Sequence, residues 1–171
     1  MHGPDWWRDG QAVVRPFGHR RDDPIVRRVG DRDCFLGNVH AADPSRHDRS
    51  FDHVLSATHD PQPLTTHHRP LVDGHEADWT SFESAADAAC RLVGDGSLLI
   101  HCSHGVSRSA TLAAVALAVT EERPLRGALS AVQSARPPAQ PHPALHELAV
   151  VYLAEQAECL GVKSSGNRRC P

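Results

Sequence analysis

The 171-residue chain has no apolar run long enough to cross a membrane: its longest, Ala110 to Val119, falls far short of the roughly 20 residues a bilayer requires. Its first twenty residues carry charges, proline and glycine throughout and lack the apolar core of a secretory signal. Neither sign of charge dominates. The formal net charge is -3 with both signs interspersed, so nothing marks a nucleic-acid binder or a protein of anionic membranes. No CxxC pair occurs, and the five cysteines, Cys34, Cys90, Cys102, Cys159 and Cys170, leave an odd one out, which suits reduced thiols better than a disulfide framework. Despite thirteen histidines there is no His-Glu-x-x-His. His142 and His146 straddle Pro143 at a predicted helix start, and His67-His68 reads as an exposed loop pair. These absences predict a cytoplasmic protein with no metal, no cofactor, no nucleic acid and no membrane among its partners; they leave the oligomeric state unread.

What is present is most simply one domain, long enough to bury a sizeable core. Residues 1–22, with Trp6 and Trp7, show no periodicity and read as an irregular arm. Ile25–Val29 and Cys34–Val39 flank Gly30-Asp31 as a hairpin, and Asp43-Pro44 suggests the start of a short helix. His53–Thr58 reads as a central strand, His59–Arg69 as a loop and Pro70–Val72 as a brief strand ending at Asp73-Gly74. Thr80 to Glu83 has the form of a capping box, opening a helix that stops at Gly94. A strand over Ser97–Ile100 follows, then a helix from Ser109 to about Glu122 that is apolar on nearly every side and therefore buried. Pro124 and Pro143 can each begin a further helix, the last stopping at Gly161, and residues 162–171 read as a disordered tail. Strands interleaved with helices predict an α/β sandwich, a central mostly parallel sheet flanked by helices within 23–161.

The chain is organised around His101-Cys102-Ser103-His104-Gly105-Val106-Ser107-Arg108-Ser109. A tight loop between a strand and a helix can turn its backbone N–H groups toward one anion, with the positive end of the helix beneath it. The same field would hold Cys102 as a thiolate: a thiol of pKa near 8.5 is only a few per cent ionised at neutral pH, and such surroundings bring it to about 3.5–7.5. Cys102 is the nucleophile candidate. The amides of Ser103, His104, Gly105, Val106 and Ser107 form a phosphate cradle, and Arg108 offers a planar fork of donors that matches two phosphoryl oxygens. Ser109 can donate a hydrogen bond to the thiolate or simply begin the helix. His104 faces either substrate or solvent. A proton carrier should come from a separate loop, where Asp73 and Asp78 are the rivals.

This stretch resembles the His-Cys-x5-Arg-Ser signature of the cysteine-dependent protein phosphatases, and its flanks look most like the dual-specificity branch. Cys34-Phe35-Leu36-Gly37-Asn38, Phe51-Asp52-His53-Val54-Leu55 and Arg136-Pro137-Pro138 extend the likeness to about residues 25–160. The resemblance implies cleavage of phosphomonoesters on a phosphorylated protein through a phosphocysteine. It implies that Ser109 eases departure of the thiolate, that His101 bonds into the loop backbone to shape the cradle, and that Asp73, following its strand directly, is the general acid. A shallow cleft, admitting phosphotyrosine and phosphoserine or phosphothreonine, is implied by the dual-specificity branch and by the lack of a segment like the phosphotyrosine-recognition loop of larger enzymes. Ser103 to Ser107 include no Lys or Arg, which disfavours a polyanionic inositol lipid. Two other readings stay open: a rhodanese-like sulfurtransferase, which also sets a cysteine in an anion-binding loop, and a non-catalytic phosphoprotein-binding module.

Overall fold

Leu98-Leu99-Ile100 forms the middle of the sheet because its three apolar side chains alternate between two buried faces. A computed structural model of the protein describes residues 7–8, 11–12 and 21–164. The main sheet has five strands: β3 (Val26–Arg28), β4 (Cys34–Gly37), β5 (His53–Ser56), β6 (His67–His68) and β7 (Leu98–His101), in the order β3-β4-β7-β5-β6. All pairings are parallel except the β3–β4 hairpin. Every residue of β7 is buried, as a strand covered on both faces must be. In the stretch read as an irregular arm, β1 (Trp7–Arg8) and β2 (Gln11–Ala12) pair antiparallel; Trp6 lies outside the described residues.

The helices are α1 (Trp79–Leu92), α2 (Arg108–Thr120), α3 (Leu125–Ala135) and α4 (Pro143–Ser164). All four contribute to one core, with Leu98, Ile100 and Leu36 from the sheet; Leu99 points the other way, onto Ala41, Ala42 and Val54. α2 is buried from Arg108 to Ala118, and its run of alanines lets α1, α3 and α4 pack around it. Burying each of its leucines and valines contributes about 1.5–3 kcal/mol, so the helix that begins at the loop is the best anchored of the four. Among the described residues no helix is long and apolar enough to cross a membrane.

Several local expectations change. The short helix does not begin at Asp43-Pro44: a 3-10 turn, Val39–Ala42, is capped by Asn38, while Asp43 accepts from the Ser45 amide and hydroxyl. The polar residues after Pro44 have no apolar face to bury, and so no helix forms there. The cap of α1 is Asp78, accepting from the Ser81 amide at 2.8 Å, and not Thr80. Starting the helix earlier places Trp79 against the core, its ring 6.4 Å from that of Tyr152. Pro70–Val72 is no strand, because Pro70 has no N–H for the ladder; the last rung is the Leu71 amide on the Ala57 carbonyl. His67-His68 is half-buried as edge strand β6, not an exposed loop pair. α4 passes through Gly161 to Ser164, since one glycine costs a helix only about 1 kcal/mol. Cys34, Cys90 and Cys102 are free thiols, whereas Cys159 is disulfide-bonded, against the expectation of reduced cysteines throughout.

Candidate active site

Because β4, β7 and β5 run parallel, their carboxyl ends meet at one edge, and the loop 102–107 leaves the middle of it. A loop that turns its amides toward an anion turns its carbonyls outward, and those carbonyls need donors. Each of the five has one: Ser103 O accepts from the Val39 amide, His104 O from Arg136 Nη2 at 3.2 Å, Gly105 O from Arg136 Nε, Val106 O from the Gln140 amide at 2.8 Å, and Ser107 O from the Thr111 amide and hydroxyl. Gly105 has φ of +67°, and a Cβ there would sit 2.9 Å from the Gly37 carbonyl, so only glycine lets the loop rest on the end of β4. Asn38, 1% exposed, holds that end by accepting from the Ile25 and Ala41 amides and donating to Asp23 O.

Cys102 is 2% exposed and its Sγ lies 3.2 Å from Ser109 Oγ. Burial pushes the thiol up, but the Arg108 charge and hydrogen bonds from Ser109 and the His104 amide outweigh it, so its pKa falls below the ordinary value. Arg108 is the first residue of α2. Its Nη1 donates to the carbonyls of Ala57 and Leu71, at 3.1 and 3.2 Å, which fixes the guanidinium plane. Nη2 donates to Ser103 Oγ, while Nε has no hydrogen-bond partner among the described residues and faces Asp73 Oδ2 at 4.0 Å.

Asp73 is brought to this edge by the Leu71 rung, and its carboxylate is 6% exposed. Oδ1 accepts from Ser107 Oγ at 2.6 Å. Asp78 lies apart as the exposed cap of α1, where the amide and hydroxyl of Ser81 hold its carboxyl below the usual range. His101 does not reach the loop with an ordinary hydrogen bond. Its Nε2 meets Ser56 Oγ on β5, Nδ1 has no such partner among the described residues, and burial, offset only in part by the Cys102 backbone, brings the ring down to about 4. It is therefore neutral and ties two strands beneath the loop. His104 is half-buried.

Thus the structure gathers Cys102, Arg108, Ser109 and Asp73 at one site and sets Asp78 elsewhere. Sequence reasoning assigned no role to Arg136, Asn38 or Ser56. A glycine within a strand pattern signals close backbone approach and could have pointed to Gly37-Asn38; nothing local points to Ser56. Ser107, expected to lend its amide to the cradle, also turns its side chain to Asp73.

No family model matches the chain. A stretch of 77 residues, 45% of the chain, is 36% identical to Dual specificity protein phosphatase 19 of Mus musculus, and this match spans 32% of that relative's length. Among solved structures, human DUSP28 is similar with a TM-score of 0.62 and 26% identity, over 78% of this chain and 99% of that one. DUSP15 is similar with a TM-score of 0.63 and 26% identity, over 78% and 90%.

Proposed function

We propose that the chain, similar to dual-specificity phosphatases over part of its sequence and in fold, hydrolyses phosphotyrosine and phosphoserine or phosphothreonine on protein substrates. The observation that carries the reading is the gathering of Ser109, Arg108 and the Asp73 carboxylate around a buried Cys102 at one edge of the sheet. In the first step the thiolate attacks phosphorus in line, the S–P bond forms, the bond to the ester oxygen breaks, and the acid form of Asp73 gives that oxygen its proton. In the second, water attacks phosphorus, Asp73 takes its proton, the S–P bond breaks and Cys102 leaves as a thiolate that the Ser109 hydroxyl stabilises. Inorganic phosphate departs. Arg108, its Nη1 held by two carbonyls, presents Nε and Nη2 to the phosphoryl oxygens, and the amides of Ser103 to Ser107 receive the charge. His101 supports this cradle from below.

The catalytic unit spans 23–161 in this reading. A cytoplasmic setting suits a thiolate that oxidants would inactivate. A sulfurtransferase is not favoured, since it has no use for a carboxylate held against the arginine, and a pure binding module has no use for an activated thiol. Side-by-side turnover of phosphotyrosyl, phosphothreonyl and phosphoinositide substrates tests the proposal: the two phosphopeptides are consumed, and a preference for the lipid overturns the substrate class. Asp73→Asn slows phosphotyrosyl cleavage by roughly 10²–10⁴ while sparing an ester whose alcohol leaves readily as an anion. Asp78→Asn leaves both nearly intact; the reverse result moves the acid to Asp78.

A further inference from the structure

We propose that Ser107 is the positioning residue of the general acid, dictating which oxygen of Asp73 carries the proton; this rests on the reading of Asp73 as that acid. Ser107 Oγ is 4% exposed at the residue level and has two partners of opposite kind. The His142 amide donates to it at 2.9 Å, and it donates to Asp73 Oδ1 at 2.6 Å. A backbone N–H can only donate, so it occupies one of the two lone pairs of the hydroxyl, and the hydroxyl hydrogen goes to Oδ1, its one acceptor among the described residues. A proton placed on Oδ1 would confront that hydrogen or turn it away from the one acceptor within reach, which costs a buried hydrogen bond. The acidic proton is therefore favoured on Oδ2, the oxygen 4.0 Å from Arg108 Nε and hence on the side of the phosphate cradle. Oδ1 remains an acceptor in both protonation states, so the Ser107 bond survives the whole cycle.

The placement has a second consequence. Ser107 immediately precedes Arg108, so one chain step links the group that aims the acid to the group that grips the phosphate. His142 sits ahead of α4, its ring 4.9 Å from that of His75 on the acid loop and its Nδ1 accepting from the Ala144 amide. The start of α4 thus backs the hydroxyl.

Ser107→Ala tests this in the full chain, with Ser107→Thr, which keeps the hydroxyl, as the conservative partner. For Ser107→Ala the expected result is a loss of about ten- to a hundredfold in kcat on a phosphotyrosyl peptide, the range of a hydrogen bond to a charged group. Cleavage of an aryl phosphate with an acidic phenol is little changed, and so is inhibition by orthovanadate. Ser107→Thr restores the rate, and Ser107→Ala adds nothing in an Asp73→Asn background. Equal losses on the two substrates, full additivity with Asp73→Asn, or weakened orthovanadate inhibition each overturn the proposal, the last by making Ser107 a part of the cradle. If Asp73→Asn itself shows no dependence on the leaving group, the general-acid reading has failed, and a normal Asp73→Asn signature beside an inert Ser107→Ala marks the failure of the positioning role alone.

Discussion

Cys34 and Cys102 stand at opposite ends of neighbouring parallel strands, one opening β4 and the other just past β7, and both are buried. Their chemistry is opposite. Burial drives Cys34 up to about 12, since nearby Arg32 is engaged with Glu121 and the two charges largely cancel at the sulfur. The same burial acts on Cys102, yet Arg108, the Ser109 hydroxyl and the loop amides bring it below the ordinary thiol value. Desolvation by itself makes an inert thiol; a nucleophile needs donors converging on the sulfur. The amino edge of a parallel sheet has no loop-to-helix junction to supply them, whereas the carboxyl edge does.

The sharpest way to break this contrast is Cys102→Ser, which removes the only activated thiol among the described residues. Turnover should fall to background while orthovanadate or a phosphopeptide still binds, because the amides and Arg108 remain; residual turnover near wild type would transfer the nucleophile elsewhere. A smaller effect is expected from alkylation by iodoacetamide. Near neutral pH Cys102 should react at least about 10² faster than Cys34 or Cys90, whose thiols burial raises to about 12 and about 11. Its rate should climb through a midpoint below the ordinary thiol value, and Ser109→Ala should move that midpoint to higher pH, since the hydroxyl favours the thiolate. Peptide mapping that finds all three thiols labelled equally would erase the distinction. Smallest of all is Cys34→Ala: activity unchanged, with the midpoint of urea unfolding lowered by a loss of about 1 kcal/mol.

How much of the site could be read in advance depended on how far apart its partners lie along the chain. Cys102, Arg108 and Ser109 fall within one strand-loop-helix junction, so residue types and spacing sufficed to expect them side by side. Asp73 was placed at the right edge by a strand that does not form; the Leu71 rung and Arg108 Nη1 do the work instead. Asp78, the rival for the proton carrier, is the cap of α1. The Thr80–Glu83 pattern failed because a carboxylate at Asp78 also caps well and lets Trp79 pack.

The sequence by itself determined the parallel α/β architecture, the buried helix behind the loop and which thiol opens that loop, because hydrophobic period and loop chemistry act over a few residues. Tertiary structure decided which donors satisfy the outward carbonyls, where the neutral His101 ring turns, and which carboxylate meets the cradle. Those contacts join residues far apart in the chain: 45 positions between Ser56 and His101, 32 between His104 and Arg136, 34 between Asp73 and Ser107. Each partner is an ordinary polar residue with no local pattern to mark it. Only the stacking of β4, β7 and β5 with α2, together with the cost of leaving a buried donor or acceptor unpaired, selects it.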